Sequence, residues 1–365
     1  MGQETTKDFS NRLDLVRSKL ADWEVDAILI TNNNNRRWLS GFSGSAGLLL
    51  VSEDKAWLGT DSRYWEQAEE QAPGFELFRF KGRPDVVMLD FVKLAGEVRI
   101  GFEADHVTVS RYDKLNSLDG VTWISIENIL SQFRQRKDEG EIITIQAAAK
   151  ITDVAMAMVN SLAHPGITER DLAWKLEMAM REAGATGLAF PVIVASGSNS
   201  ARPHHEPGDR PLTMGDSIII DMGAEVDGYC SDMTRSFFLG DESDEQFDRI
   251  YNIVLEAEQN AIQKMRGGMT GKEIDSFARE IISDAGFGDE FGHSLGHGLG
   301  LEVHEQPNLS PLAEDMIIVA GAVVTVEPGI YIPGWGGVRI EDLVQVTKNG
   351  VNMLSACPKT PVISG

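Results

Sequence analysis

The chain has 365 residues, 42% of them hydrophobic and 24% charged, which suits two folded domains and excludes collagen-like, mucin-like and wholly disordered classes. Lys and Arg number 33 against 56 Asp and Glu, and the resulting net charge of −23 repels phosphate backbones and anionic lipid surfaces, leaving no role with nucleic acid or membrane. No uninterrupted apolar run approaches about 18 residues, residues 1–11 lack the apolar stretch of a signal peptide, and two distant cysteines, Cys230 and Cys357, fit a reducing cytoplasm.

Residues 9–23 carry Leu13, Val16 and Leu20 at helical spacing. Short apolar runs at 25–31, 47–51 and 56–59 predict strands. A helix is predicted at 62–71, closed by Pro73 and Gly74, and further strands at 98–102 and 122–126. The asparagine run at 32–35 predicts a turn or loop. This alternation implies a small α/β domain with a mixed sheet. The charge run at 134–140 (RQRKDEG) marks a boundary, dividing the chain into residues 1–134 and 135–365.

Beyond the boundary, a long helix is predicted at 141–163, ending at Pro165 and Gly166. Thr168 offers an N-cap, with Asp171 three residues on, for a second helix to 183. Strands at 192–195, 217–222 and 232–238 follow, then helices at 245–264 and 271–285. The last strands are at 323–327, 330–332, 337–340 and 343–346. This part reads as α+β with an antiparallel sheet and shows no convincing internal repeat.

Five of the seven histidines lie between His204 and His304. At 217–240, two apolar runs flank Asp227 and Gly228, a hairpin dipeptide. A two-residue loop pairs Val226 with Tyr229 and sets Asp221 diagonal to Asp232 on one face, whereas a longer loop or bulge breaks that relation. Asp221 follows three isoleucines, where a lone carboxylate is costly to bury unless paired or bound to a cation. At 292–305, Gly296, Gly298 and Gly300 oppose a helix around His293 and His297 and suit a close backbone approach. There is no HExxH pattern and no phosphate loop. Glu327 and Glu341 each end an apolar strand, and Arg339 is expected on the opposite face from Glu341. Taken singly, each residue is as readily a solvated strand end or a structural histidine. Together, Asp221, Asp232, His297, Glu327 and Glu341 form an oxygen-rich, thiol-free set suited to Mn²⁺ or Co²⁺ rather than structural zinc. Four carboxylates in one buried place repel strongly without about two divalent ions.

These residues stand in the segments IIIDMG (218–223), SDMTRSF (231–237), GHGLGLEVHE (296–305), VEPGIY (326–331) and GVRIEDL (337–343). In that order they resemble the metal site of the pita-bread metallopeptidases, which include methionine aminopeptidase, prolidase and aminopeptidase P. Residues 35–47 (NRRWLSGFSGSAG) and 60–68 (TDSRYWEQA) resemble the amino-terminal domain of bacterial Xaa-Pro peptidases, which methionine aminopeptidases lack. Creatinase shares the fold without the metal ligands.

The resemblance implies an α/β N-terminal domain and an α+β pita-bread (creatinase/aminopeptidase-like) catalytic domain. It implies two divalent metal ions, Mn²⁺ ahead of Co²⁺ or Zn²⁺. Asp221 would chelate one metal, Asp232 and Glu341 would bridge both, and His297 and Glu327 would complete the second. Glu327 would also carry a proton from the attacking water to the leaving proline nitrogen. His204 and His304 would orient the substrate and stabilise its oxyanion, with His205 a lesser candidate and His293 a supporting group. Some prolidases carry an arginine just after the HE-x-P segment to clamp a dipeptide carboxylate. Here Asn308 follows Pro307, so Arg202, Arg339 or an N-domain residue would have to substitute. That departure favours an Xaa-Pro aminopeptidase, with Xaa-Pro dipeptidase the alternative. Methionine aminopeptidase and a non-catalytic pita-bread binding protein are more remote. A proline-containing peptide substrate and a homodimer are expected by the same resemblance.

Overall fold

The computed structural model describes residues 9–96 and 98–364; residues 1–8 of the polar leading segment lie outside them. The described chain forms two compact units that divide between Gln132 and Phe133.

The first unit is a six-stranded mixed sheet. Its strand order is Glu76–Phe80, Ala56–Asp61, Leu48–Ser52, Ala27–Ile30, Arg99–Glu103, Thr122–Ile126. The three strands Ala56–Asp61, Leu48–Ser52 and Ala27–Ile30 run as an antiparallel meander, and the remaining pairings are parallel. Leu29, Leu50, Phe91 and Ile100 lie in its core. The asparagine run departs from the expected loop and starts a helix, Asn33–Ser40. The Asn32 side chain accepts from the backbone N–H groups of Asn34 and Asn35, which makes it an N-cap, and Gly41 at φ 80° closes the helix. Buried Glu103 holds that cap in place, accepting from the Asn32 N–H at 2.8 Å and the Asn35 side-chain amide at 2.7 Å.

The second unit repeats one plan twice. In the first half, helices Glu139–Ala157 and Glu169–Glu182 pack on strands Ile193–Ser196, Ser217–Met222 and Met233–Leu239 through residues such as Leu172, Leu176, Ile218 and Ile220. In the second, helices Glu245–Lys264 and Gly271–Asp284 pack on strands Gly296–Gly298, Val323–Val326 and Asp342–Val346 through Ile250, Val254, Ile274 and Val324. Thr168 and Thr270 cap the second helix of each half, and each bridges back to a later segment, Thr168 to Pro211 and Thr270 to Ile317. No repeat was expected, because what recurs is a capping threonine and an order of elements rather than a string of side chains.

The first of these helices starts two residues earlier than its apolar pattern predicts, because Asp138 and Glu141 form a reciprocal capping box. The stretch Glu139–Leu162 is long and apolar enough to cross a membrane by length and composition, against expectation; half of its apolar window is buried inside the protein, as in a core helix. The Asp227 and Gly228 turn is a two-residue loop with φ of 45° and 73°, and Val226 pairs with Tyr229. Thr234 pairs with Asp221, one register carried on both sides of Gly223 and Asp232. Asp232 is therefore diagonal to Asp221.

Candidate active site

The two sheets of the second unit meet at a cleft of about 780 Å³. Its lining includes Asp221 and Asp232 from the first sheet, and His297, Glu327 and Glu341 from the strands and strand ends of the second. His204, His304 and Arg339 line the same cleft. The sheets are tied beside it by the Glu341 N–H, which donates to the Thr234 carbonyl at 3.1 Å.

Each side chain is held by neighbours. The His297 Nδ1–H donates to the Gly298 carbonyl at 3.1 Å, which leaves Nε2 as the nitrogen facing the cleft carboxyls. That Nε2 lies 3.3 Å from Glu327 Oε1 and 3.8 Å from Asp232 Oδ2. Thr325 Oγ1 accepts from the His297 N–H at 3.1 Å and donates to Glu327 at 3.3 Å, which couples the two residues from behind. Thr234 Oγ1 donates to Glu341 Oε2 at 2.7 Å. Ligand atoms of Asp232, His297 and Glu341 lie within 4.8 Å of one another. Asp221 Oδ1 is buried with no hydrogen-bond partner. An orphaned carboxylate oxygen beside converging oxygen and nitrogen donors is what a divalent cation fits.

The electrostatics point the same way. Burial pushes the Asp232 carboxyl well above the usual range, and Glu341, Asp221 and Glu327 push it further. Burial, then Glu327 and Asp221, do the same to Glu341. Asp221 is raised by burial, against the pull of Arg339. Burial would raise Glu327 too, but its hydrogen bond and charge interaction with His297 outweigh it and bring the carboxyl down to about 2. Burial would lower His297, and Glu327 more than offsets this. Fully ionised, the four carboxyls would carry more negative charge than His297 and Arg339 balance, which is why Asp232 and Glu341 are pushed up.

Arg339 takes a different place from a substrate clamp. It is 3% exposed and donates to Asp221 Oδ2 at 2.7 Å, the Tyr331 hydroxyl at 3.0 Å, Thr234 Oγ1 at 3.0 Å and the Pro203 carbonyl at 3.3 Å. It shares a side with Glu341 through Thr234, not the opposite face expected, because residues two apart in an extended chain point the same way. The Tyr331 hydroxyl lies 3.0 Å from His293 Nε2, and His293 Nδ1 donates to the Ser294 carbonyl at 2.8 Å, so His293 supports Arg339 from behind.

His304 is exposed, its ring 4.2 Å from that of His297. His204 is exposed on the wall formed after the short helix Gly197–Ala201. His205 also lines the cleft, but its Nε2 is tied to buried Glu169 at 2.8 Å. Sequence reasoning missed Tyr331, Thr234, Thr325 and Glu169 as supports, since no spacing rule marks a residue whose partner is distant in the chain.

The sequence profile of Metallopeptidase family M24 matches residues 144–348, and that of the Creatinase/Prolidase N-terminal domain matches residues 12–136. An Xaa-Pro dipeptidase from Pyrococcus horikoshii is 38% identical over 91% of this chain and 93% of its own. Among solved structures, an Xaa-Pro dipeptidase from Bacillus anthracis superposes with a TM-score of 0.94 at 39% identity, covering 97% of this chain and 99% of the other. An X-Pro aminopeptidase from Thermotoga maritima gives 0.88 at 37% identity, covering 97% and 100%.

Proposed function

The chain belongs to metallopeptidase family M24 and is a metallo-exopeptidase, and from that premise we propose that it hydrolyses the Xaa-Pro bond, with Xaa-Pro dipeptides as its first substrates. The observation that carries this reading is the convergence of Asp221, Asp232, His297, Glu327 and Glu341 in one cleft beside an unpartnered carboxylate oxygen. These five would hold two divalent cations, Mn²⁺ or Co²⁺ by the hardness of the donor set. When bound, such ions supply Lewis acidity and make water acidic enough to serve as a nucleophile at neutral pH.

The chain's own groups do the rest. Glu327 accepts the proton of the attacking water and returns it to the proline nitrogen as the bond breaks. His304 and His204 present N–H groups to the carbonyl oxygen as it gains negative charge. Arg339 holds Asp221 in place instead of binding substrate. The Xaa-Pro bond suits a dedicated site, because its nitrogen carries no hydrogen for a general peptidase to bind.

The sequence favoured the aminopeptidase, whereas two of the three relatives named above are Xaa-Pro dipeptidases, which supports the dipeptide reading. The aminopeptidase stays a second reading, because Asn308 lines the cleft, Arg339 is committed to Asp221, and among the described residues lining the cleft no other Arg or Lys stands ready to clamp a dipeptide carboxylate. Metal-stripped protein should be incubated with Ala-Pro and Ala-Pro-Ala, with and without Mn²⁺ or Co²⁺. Metal-dependent cleavage of Ala-Pro supports the first reading, and cleavage of Ala-Pro-Ala alone supports the second. Cleavage of neither under any metal sinks both. We also take the protein to be a homodimer in a reducing compartment; a monomer in sedimentation at micromolar concentration contradicts the former.

A further inference from the structure

The charge run at 134–140, read as a domain boundary, buries two of its three cations, Arg134 and Lys137, and leaves Arg136 exposed. Arg134 and Lys137 are each 5% exposed. Both address Glu305: Lys137 Nζ donates to Oε1 at 2.6 Å, and an Arg134 Nη2–H bonds Oε2. Arg134 also reaches Glu302 at 2.9 Å, and the Gln135 amide donates to Gln306 Oε1 at 3.0 Å. Residues 302, 305 and 306 are thus gripped on both sides of His304.

His304 depends on that grip. Among the described residues, nothing hydrogen-bonds its imidazole; the ring lies 4.2 Å from that of His297, tilted by 50°. Its position is therefore set by its backbone. Sheet pairing fixes that backbone loosely, since the register between Gly296–Gly298 and Glu305–Leu309 shifts between His297 and Gly298. The turn leading to it is tight: the Gly300 N–H donates to the Glu302 carbonyl at 3.0 Å, and the Cys230 N–H to the Gly300 carbonyl at 2.8 Å. A Cβ on Gly300 would stand 2.6 Å from Glu305 Oε1 and 3.1 Å from Lys137 Cε, so the glycine leaves room for the ion pair. Burial alone would raise the Glu305 carboxyl, but Lys137 and Arg134 hold it below the usual range, so it stays ionised. Apolar side chains of similar volume would stabilise such a wall about as well as a buried ion pair does. What the ion pair adds is direction.

We propose that Arg134 and Lys137 are positioning residues which, through the Glu305 carboxylate, fix the segment that presents His304 to the substrate. The proposal rests on the reading of His304 as a substrate-facing group.

The test is a double-mutant cycle on Mn²⁺-loaded protein with Ala-Pro, using Glu305→Gln, His304→Ala and the pair together. Glu305→Gln should lower kcat by about 10-fold or more with metal content unchanged, and by less than about 2-fold when His304→Ala is already present. Equal losses in both backgrounds overturn the proposal. Should Glu305→Gln not fold, Lys137→Met carries the same cycle, with Lys137→Arg expected to restore most of the rate. A second readout does not depend on turnover. The His304 signal in an imidazole ¹H–¹⁵N spectrum, assigned by its loss in His304→Ala, should move or broaden in Glu305→Gln and Lys137→Met. A signal that stays in place in both overturns the proposal. Unmodified protein that cleaves no Xaa-Pro peptide counts against the functional reading instead, and the spectrum still decides the positioning.

Discussion

Glu341 and Asp342 are neighbours in the chain but belong to different buried charge clusters. Glu341 looks into the cleft with Asp221, Asp232 and Glu327, against His297 and Arg339. Asp342 faces the other way, where Arg235 donates to it at 2.7 Å, Ser355 at 2.9 Å, and Lys359 forms an ion pair with it. Glu258 completes that second cluster, 2.9 Å from Lys359. The two carboxyls shift in opposite directions. Burial and its acidic neighbours push Glu341 well up. Burial would raise Asp342 as well, but Arg235 and Lys359 outweigh it and hold it low. Two carboxyl groups set against two cations form an internal brace. Four carboxylates against one guanidinium and one imidazole, with an orphaned oxygen, form a site that we assign to metal.

The sharpest way to break this contrast is on the cleft side. Glu327→Gln removes a proton carrier and should lower kcat by about 10²- to 10⁴-fold while circular dichroism and melting stay close to those of the unmodified protein. Near-normal turnover in that variant would sink the assignment of Glu327. On the brace side, Asp342→Asn leaves Arg235 and Lys359 under-compensated and should lower stability by about 3–5 kcal/mol in urea unfolding. A loss below about 1 kcal/mol, the range of a surface pair, would show that the cluster is not a brace.

The brace has a flaw that pH exposes. Lys359 comes close to Glu258 but is not aligned to hydrogen-bond either of its oxygens, and both are buried. Burial, then Asp342, push Glu258 up to about 8, with Lys359 opposing; Arg235 and Tyr251 also face it. Between the usual carboxylate range and about 8, the folded state holds a proton that the unfolded state has lost, so stability falls as pH rises through that window. Glu258→Gln should therefore match the unmodified protein near pH 5 and melt higher than it by a margin that grows up to about pH 8 and then levels. A margin already complete at pH 5 would contradict the assignment.

Much of the second unit was legible because its strands are apolar runs that stop at Gly, Pro or a carboxylate. The Ser217–Met222 and Val323–Val326 strands and the helix Glu245–Lys264 follow from local pattern alone. The diagonal placement of Asp221 and Asp232 follows from one turn type. The rest depended on partners that local pattern does not show. The asparagine run begins a helix because Asn32 caps it and Glu103, far along the chain, secures the cap. Helices Pro84–Val92 and Val109–Asn116 and strand Glu76–Phe80 were not anticipated from their periodicity. Arg134 and Lys137 read only as part of a charge run at a domain boundary, and only the fold supplies Glu305 to bury them.

The smallest predicted effect tests the comparison most directly, because its sign should reverse. Asp232→Asn removes one of the four cleft carboxylates. Without metal this relieves repulsion, so the variant should melt above the unmodified protein, by about 2–4 °C if the relief is worth about 1 kcal/mol. The gain is modest because burial and its neighbours already drive Asp232 to take up a proton, which relieves part of the strain beforehand. With Mn²⁺ the order should invert: a ligand that binds only the folded state stabilises it by an amount that grows with the logarithm of its concentration relative to its dissociation constant, and the variant has lost a ligand. Asp342→Asn, one residue beyond Glu341, should destabilise by the same amount with and without Mn²⁺. If Asp232→Asn also lowers the melting temperature in both conditions alike, then the two clusters are of one kind, and the cleft is braced by its own charges.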